Sequence, residues 1–407
     1  MSNSPKGNWN RNQKRRNSAD DADVPVGKGR QNGFSLRITR CALIAALVLC
    51  LPCIVQAQIT TLTPLATYDA GENIVSYFEY LALDCPNEGA CLYNNVVSTT
   101  SRVGHTRVAA VITGFSLWTP LPDTIGKIAV RVKGSDGAAT GTVNLRVSGL
   151  FQSPHNSRFS YRVQIAIIES TVEGFTLTAT GAACPQGVCP VQMTAPGAVP
   201  AGQRFLGFGL QMFDSDRPFS PLWGAVAVPV TTAVDPVSGD VRARLSCGTV
   251  QSAATRTPTL SGPCETTWVA IAARPNSVVG GPASGLPLIF SLAPYTGIGA
   301  AAVNSPNPGT ATPTLVCAPH PRPSKGFIDV LAGFYLLAGQ LSGGSFIPAK
   351  GDAYGMEVSA GSIGFSATGS PQVTYGMGLP VTQPVPGGLP PAVSPVTYLR
   401  LTTSVCL

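Results

Sequence analysis

Along most of the chain, apolar and polar residues alternate with a period of two. Ile128, Val130 and Val132 are interleaved with Lys127, Arg131 and Lys133, and Val143, Leu145 and Val147 with Asn144, Arg146 and Ser148. A longer run sets Phe159, Tyr161, Val163, Ile165 and Ile167 against Arg158, Ser160, Arg162 and Gln164. Near the end, Val373, Tyr375, Met377 and Leu379 alternate with Thr374, Gly376 and Gly378. Alternation of this kind predicts strands with one buried and one wet face. Similar runs lie near 107–117, 174–180, 204–213, 224–234, 241–247, 267–273, 286–293, 354–360 and 396–405. Clusters of Gly, Pro, Asn and Asp separate them, so the predicted fold is all-β: antiparallel β-sandwich or jelly-roll modules with little helix. The exception is FIDVLAGFYLLA, Phe327 to Ala338, apolar on all sides apart from Asp329. It reads as a short buried helix near 327–338 or as two strands, and periodicity alone does not separate these.

Punctuation along the chain divides it. Residues 297–314, GIGAAAVNSPNPGTATPT, are small, uncharged and rich in Pro and Gly, the composition of a linker. A large β region is expected over 58–296, which itself has room for two sandwiches, and a C-terminal β domain over 315–407. A lesser break falls at 194–203. Residues 1–57 form a leader. Cys41 to Val55 is an uncharged apolar run of 15 residues that follows Arg37 and Arg40 and ends at Val55-Gln56-Ala57, a small-residue cleavage pattern. A bilayer span takes about 20 apolar residues, so the run has the length of a signal-peptide core rather than an anchor. The basic segment before it is long, which keeps an uncleaved type II signal anchor as the alternative. Either way the positive charge stays inside and residues 58–407 are exported.

The leader also explains the charge. The formal net charge is +7, but residues 1–57 hold nine basic and three acidic residues, and the remainder holds 18 basic and 17 acidic. A body so nearly neutral presents no overall field to a polyanion, which argues against a nucleic-acid partner. A charged 12% of the chain, with 44 Gly and 36 Pro, also excludes a coiled coil or a charged helical bundle.

Of the 11 cysteines, three sit in the leader and eight in the exported body: Cys85, Cys91, Cys184, Cys189, Cys247, Cys264, Cys317 and Cys406. An even count beyond a signal peptide predicts a disulfide framework. Eight cysteines allow about 105 pairings; the simplest, which pairs neighbours, gives Cys85–Cys91 around PNEGA, Cys184–Cys189 around PQGV, Cys247–Cys264 joining adjacent strands, and Cys317–Cys406 stapling the C-terminal segment. Zinc is the competing use, but the body has no C-x-x-C, and His105, His155 and His320 stand apart from one another in sequence.

Candidate chemistry is sparse. The sequence has no G-x-S-x-G elbow, phosphate loop, H-E-x-x-H or dinucleotide fingerprint. Asp214-Ser215-Asp216 is the one compact acidic cluster; alternate Asp residues can supply oxygen ligands to calcium, and the plainer alternative is an Asx-type turn ending the strand 204–213. No other cofactor is expected. Trp118 and Trp223 lie in Pro-rich contexts, LWTPLP and PLWGAV, where an exposed indole would form a platform for a sugar face. The bland alternative is a hydrophobic plug closing the end of a sandwich. A glycosidase needs only two carboxylates about 5–10 Å apart, which sequence cannot display. These readings together predict an exported or cell-surface, non-enzymatic β protein for adhesion, glycan binding or extracellular assembly, its partner a glycan or protein surface and self-assembly included. A secreted hydrolase of a polymer and an outer-membrane β-barrel are the alternatives.

Overall fold

The computed structural model describes residues 59–86, 91–100, 103–123, 127–137, 141–152, 156–185, 189–216, 224–252, 258–261, 263–274, 288–290, 314–316, 327–342, 345–348, 351–365, 371–378 and 396–407. For some strand residues, most of them in the C-terminal part, it describes the backbone alone.

In chain order the strands begin with β1 (Ile59–Asp69), β2 (Asn73–Pro86), β3 (Cys91–Ser98), β4 (Arg107–Asp123), β5 (Lys127–Asp136), β6 (Thr142–Gln152) and β7 (Arg158–Ser170). Then come β8 (Thr176–Cys184), β9 (Val191–Ala195), β10 (Arg204–Asp216), β11 (Gly224–Val234), β12 (Val241–Ser252), β13 (Pro258–Ser261) and β14 (Cys264–Ala273). The last are β15 (Leu288–Phe290), β16 (Thr314–Val316), β17 (Phe327–Ser342), β18 (Ser345–Pro348), β19 (Gly351–Phe365), β20 (Pro371–Gly378) and β21 (Val396–Cys406). Among the described residues there is no helix, and hence none long and apolar enough to cross a membrane.

The fold is all-β and antiparallel, as the alternation predicts. Sheet A runs β1-β2-β7-β4-β19-β20-β16 and sheet B runs β3-β6-β5-β10-β14-β8. Sheet C runs β13-β12-β11-β17-β21-β15, with β9 also on β12 and β18 on β17. Two hydrophobic cores lie between them. The larger gathers Tyr80, Phe115, Leu117, Val130, Val147, Tyr161, Phe213, Trp268 and Phe334, and the smaller Val75, Val111, Ile168, Ile271, Val330 and Val405. Strands β4 and β7 feed both: Ala110, Ile112, Ile165 and Ile167 face one core, Ala109, Val111, Ala166 and Ile168 the other. A strand buried on both faces reads as a continuous apolar run, which is what VAAVI and IAII are.

The same reason corrects the expectation over 327–338. The segment is neither a helix nor two strands but part of one strand, β17. Ile328 and Val330 point into the smaller core; after a bulge between Leu331 and Gly333, Phe334 meets Phe115 and Phe213 edge-on in the larger. Apolarity on all sides reflects two buried faces of a strand.

From Gln58 to Leu407 the chain is one compact unit. The sheets cross the expected 297–314 break: β17 pairs with β11, and β19 pairs with β4. Residues 1–57 and 297–313 lie outside the described residues, and of 314–326 only β16 is described.

Three of the four expected bridges are present, Cys85–Cys91, Cys184–Cys189 and Cys247–Cys264, with Cα separations of 5.7, 5.4 and 6.0 Å. Cys247–Cys264 does not join adjacent strands. It ties β12 of sheet C to β14 of sheet B, which are not hydrogen-bonded neighbours. It lies against the second bridge: Cys264 faces Cys184 across the β8–β14 ladder, and the Cys247 N–H donates to Cys189 Sγ at 3.2 Å. Cys317 lies outside the described residues and Cys406 is described by its backbone in β21.

Candidate functional site

The candidate site is a groove on the wet face of sheet B. Strand β5 runs beside β10 only as far as Arg131, which is paired with Met212; its Nε donates to Met212 Sδ at 2.9 Å. Beyond Arg131, the start of β4 closes on β5 instead. Two features allow that. Gly134 has no side chain, and a Cβ there would sit 2.9 Å from the Ala110 Cβ, inside any normal contact. The bulge between Leu210 and Met212 turns Gln211 inward, where its amide donates to the Ala110 carbonyl at 2.9 Å. A bulge beside a site commonly re-aims a side chain in this way.

The groove so formed has a volume of about 370 Å³. Val108, Leu177 and Val269 supply apolar lining; Arg131, Lys133, Gln211, Glu265 and Thr267 supply polar groups. The ladders place them: Arg131, Met212, Thr267 and Gly181 form one row across four strands, and Ala129, Asp214, Glu265 and Ala183 the next but one. Arg131, Lys133 and Glu265 are solvent-exposed. Two cations against one carboxylate leave the lining net positive. Its size is at the low end of ligand pockets, roughly 300–1,000 Å³.

Asp214 sits close to this groove, but not on a turn. Strand β10 continues through Asp216, and Asp214 is held between Ala129 and Glu265 in the two ladders, which corrects the expected strand end at 213. Its carboxylate faces the Lys127 ammonium at 3.4 Å. A calcium ligated by Asp214 and Asp216 would have that ammonium beside it; only the backbone of Asp216 is described. Among the described residues no group of three or more His, Cys, Asp or Glu is gathered for a metal.

Trp118 is not in a loop. It lies within β4, paired with Ser160 on one side and Ala353 on the other, and its backbone alone is described. Trp223, His155 and His320 lie outside the described residues. His105 is buried, with Nε2 2.9 Å from the Gly71 carbonyl at the β1–β2 turn, so its ring braces that hairpin. The groove residues carry no local signature; the polar side of 127–133 was visible as alternation, but only the order β5-β10-β14 brings Arg131 to Thr267.

Comparison with known protein families, curated proteins and solved structures finds no match.

Proposed function

We propose that the chain is an exported, non-enzymatic binding module of the cell exterior, and that the sheet B groove takes a stretch of glycan bearing acidic groups. The observation that carries this reading is the lining itself: Arg131 and Lys133 beside Glu265, Thr267 and Gln211, over Val108, Leu177 and Val269. Cations pair with carboxylate or sulfate groups, hydroxyl and amide groups take sugar hydroxyls, and the apolar patch takes a ring face. Paired cysteines are compatible with an extracellular location. The barrel alternative is less favoured, because β4 and β7 bury both faces in protein, whereas barrel strands turn one apolar face to lipid.

The test is a glycan array spanning acidic and neutral polymers. Binding should concentrate on acidic members and weaken with added salt, and Arg131→Ala with Lys133→Ala should lower affinity roughly tenfold or more, the scale of losing one charge-assisted contact. Equal binding of neutral and acidic glycans, untouched by the double substitution, would sink the reading.

One observation favours a second reading, a polymer hydrolase. Glu265 stands directly across from Asp214, which places their Cβ atoms about 5 Å apart on one face, within the range of a carboxylate pair. Release of reducing ends from the bound polymer, abolished by Glu265→Gln, would replace the first reading with this one.

A further inference from the structure

Sheets end in edges, and several described edges of this fold carry protection against pairing with another chain. Strand β1 has Pro64 and a bulge between Pro64 and Ala66. Strand β8 lies beside β9, to which the Thr180 hydroxyl donates at the Thr194 carbonyl, 2.8 Å away. Short length, proline, bulges and covering segments are the usual devices. Strand β3, CLYNNVVS, has no proline and no bulge, and among the described residues no segment covers its outer edge. It is eight residues long, without charge or proline, and pairs with β6 at every position without a bulge. Its first residue is bonded to Cys85, which fixes the edge in place. Its wet face carries Leu92, 48% exposed, and Val96, 60% exposed, on either side of Asn94.

We propose that this edge pairs with the same edge of a second copy, antiparallel about a two-fold axis at Asn94. Side chains alternate, so a register that keeps both core faces on one side must match residues of the same face. Centring on Asn94 sets Asn94 opposite Asn94, Leu92 opposite Val96 and Tyr93 opposite Asn95. Both exposed apolar residues are thereby covered twice, once in each half. Centring on Asn95 instead would set Val96 against Asn94 and Leu92 against Ser98, leaving the apolar groups unmatched. The nearest like charge is Arg146, beside Asn94 on β6. Across the new junction the two Arg146 strands are three spacings apart, about 14 Å, beyond the Debye length of about 8 Å at physiological salt. Charge therefore does not oppose the pairing. One eight-residue edge makes a small contact, so the dimer is reversible and concentration-dependent. Sheet B becomes a continuous twelve-stranded sheet, six strands from each copy, and because the axis is normal to it, both grooves open on the same side. A multivalent polymer would then engage two sites at once.

The experiment is sedimentation of the full chain over a concentration series, beside Val96→Lys, Asn94→Cys and Leu92→Cys. The expected result is a monomer–dimer equilibrium whose dissociation constant rises roughly tenfold or more in Val96→Lys, with the thermal midpoint unchanged because Val96 is exposed. On oxidation Asn94→Cys should give a peptide disulfide-linked to its own copy through position 94, since opposed Cα atoms lie about 4.5–5.5 Å apart. Leu92→Cys should not link to itself, its copies being roughly 14 Å apart along the strands. A monomer at every concentration, a dimer indifferent to Val96→Lys, or linkage in Leu92→Cys in place of Asn94→Cys overturns the proposal. Glycan binding by a single groove is read separately, in Val96→Lys, so the two proposals fail independently.

Discussion

Two buried tyrosines, Tyr80 and Tyr161, and the half-buried Tyr68 hold their phenols neutral. Tyr80 and Tyr161 have ring centroids 5.5 Å apart in the larger core, and the Tyr161 hydroxyl donates to the Cys91 carbonyl at 2.7 Å. The ring can lie there because residue 149 of β6 is a glycine; a Cβ would press into the Tyr161 ring. Burial raises the pKa of Tyr161, with the neighbouring Tyr80 adding to it, and burial likewise raises Tyr80. Burial pushes Tyr68 up to about 12. An unfolded tyrosine ionises near pH 10, so the neutral phenols stabilise the fold fully below about pH 10, and that contribution is lost as pH rises towards and through about 12. The thermal midpoint should therefore be insensitive to these groups up to about pH 10 and fall above it, and tyrosinate absorbance in the folded protein should appear later than in denaturant. Tyr161→Phe should remove part of the alkaline fall, while costing about 1 kcal/mol at neutral pH for the hydrogen bond to Cys91. Folded and denatured protein titrating together would contradict this.

At the scale of elements, one bridge joins two sheets whose bridged strands are not hydrogen-bonded neighbours. Cys247–Cys264 closes a loop with a sequence separation of 17 and joins β12 to β14. In the chain-entropy picture that is worth about 3 kcal/mol. The substitution to make is Cys247→Ala with Cys264→Ala together, because a lone Cys264 thiol would face Cys184 across the ladder and could attack its bridge. The pair should lower unfolding free energy by about 2–4 kcal/mol, and hydrogen exchange should quicken first in β12, which the bridge ties to sheet B. A loss below about 0.5 kcal/mol would mean the sheets hold one another by packing alone. Element prediction failed in an instructive place. The β1–β3 region escaped the alternation reading, and in β3 the cause is visible: Leu92 and Val96 stand on the wet face where polar residues belong. The break in pattern falls on the strand whose edge is open. Over β17 the choice between a buried helix and two strands had the opposite cause: both faces of one strand are buried, which leaves no alternation to read.

For the whole molecule, the compact unit begins at Gln58, the residue after the expected cleavage at Ala57. Under the proposed export, N-terminal sequencing of the mature protein should start at Gln58, and that form should unfold cooperatively with all its described strands; an intact protein retaining Met1 in the membrane fraction would favour the signal anchor. What the sequence determined by itself was local. Alternation dictated strands, because a pleated strand exposes alternate side chains to different solvents and Val130 beside Arg131 is such a choice. Close spacing favoured the neighbour pairings Cys85–Cys91 and Cys184–Cys189, because a loop of four or five residues is cheap to close, but spacing alone left the other pairings open. Only the tertiary structure decided which strands are neighbours. That order put β17 between β11 and β21, set Cys247 against another sheet, drew Asp214 into a ladder instead of a turn, and brought Arg131 together with Thr267 and Glu265 from strands far apart in sequence. The physical reason is that strand pairing is made through backbone groups common to all residues. A strand therefore announces its faces in its side chains but not its neighbours, and those are chosen by the packing of both cores at once.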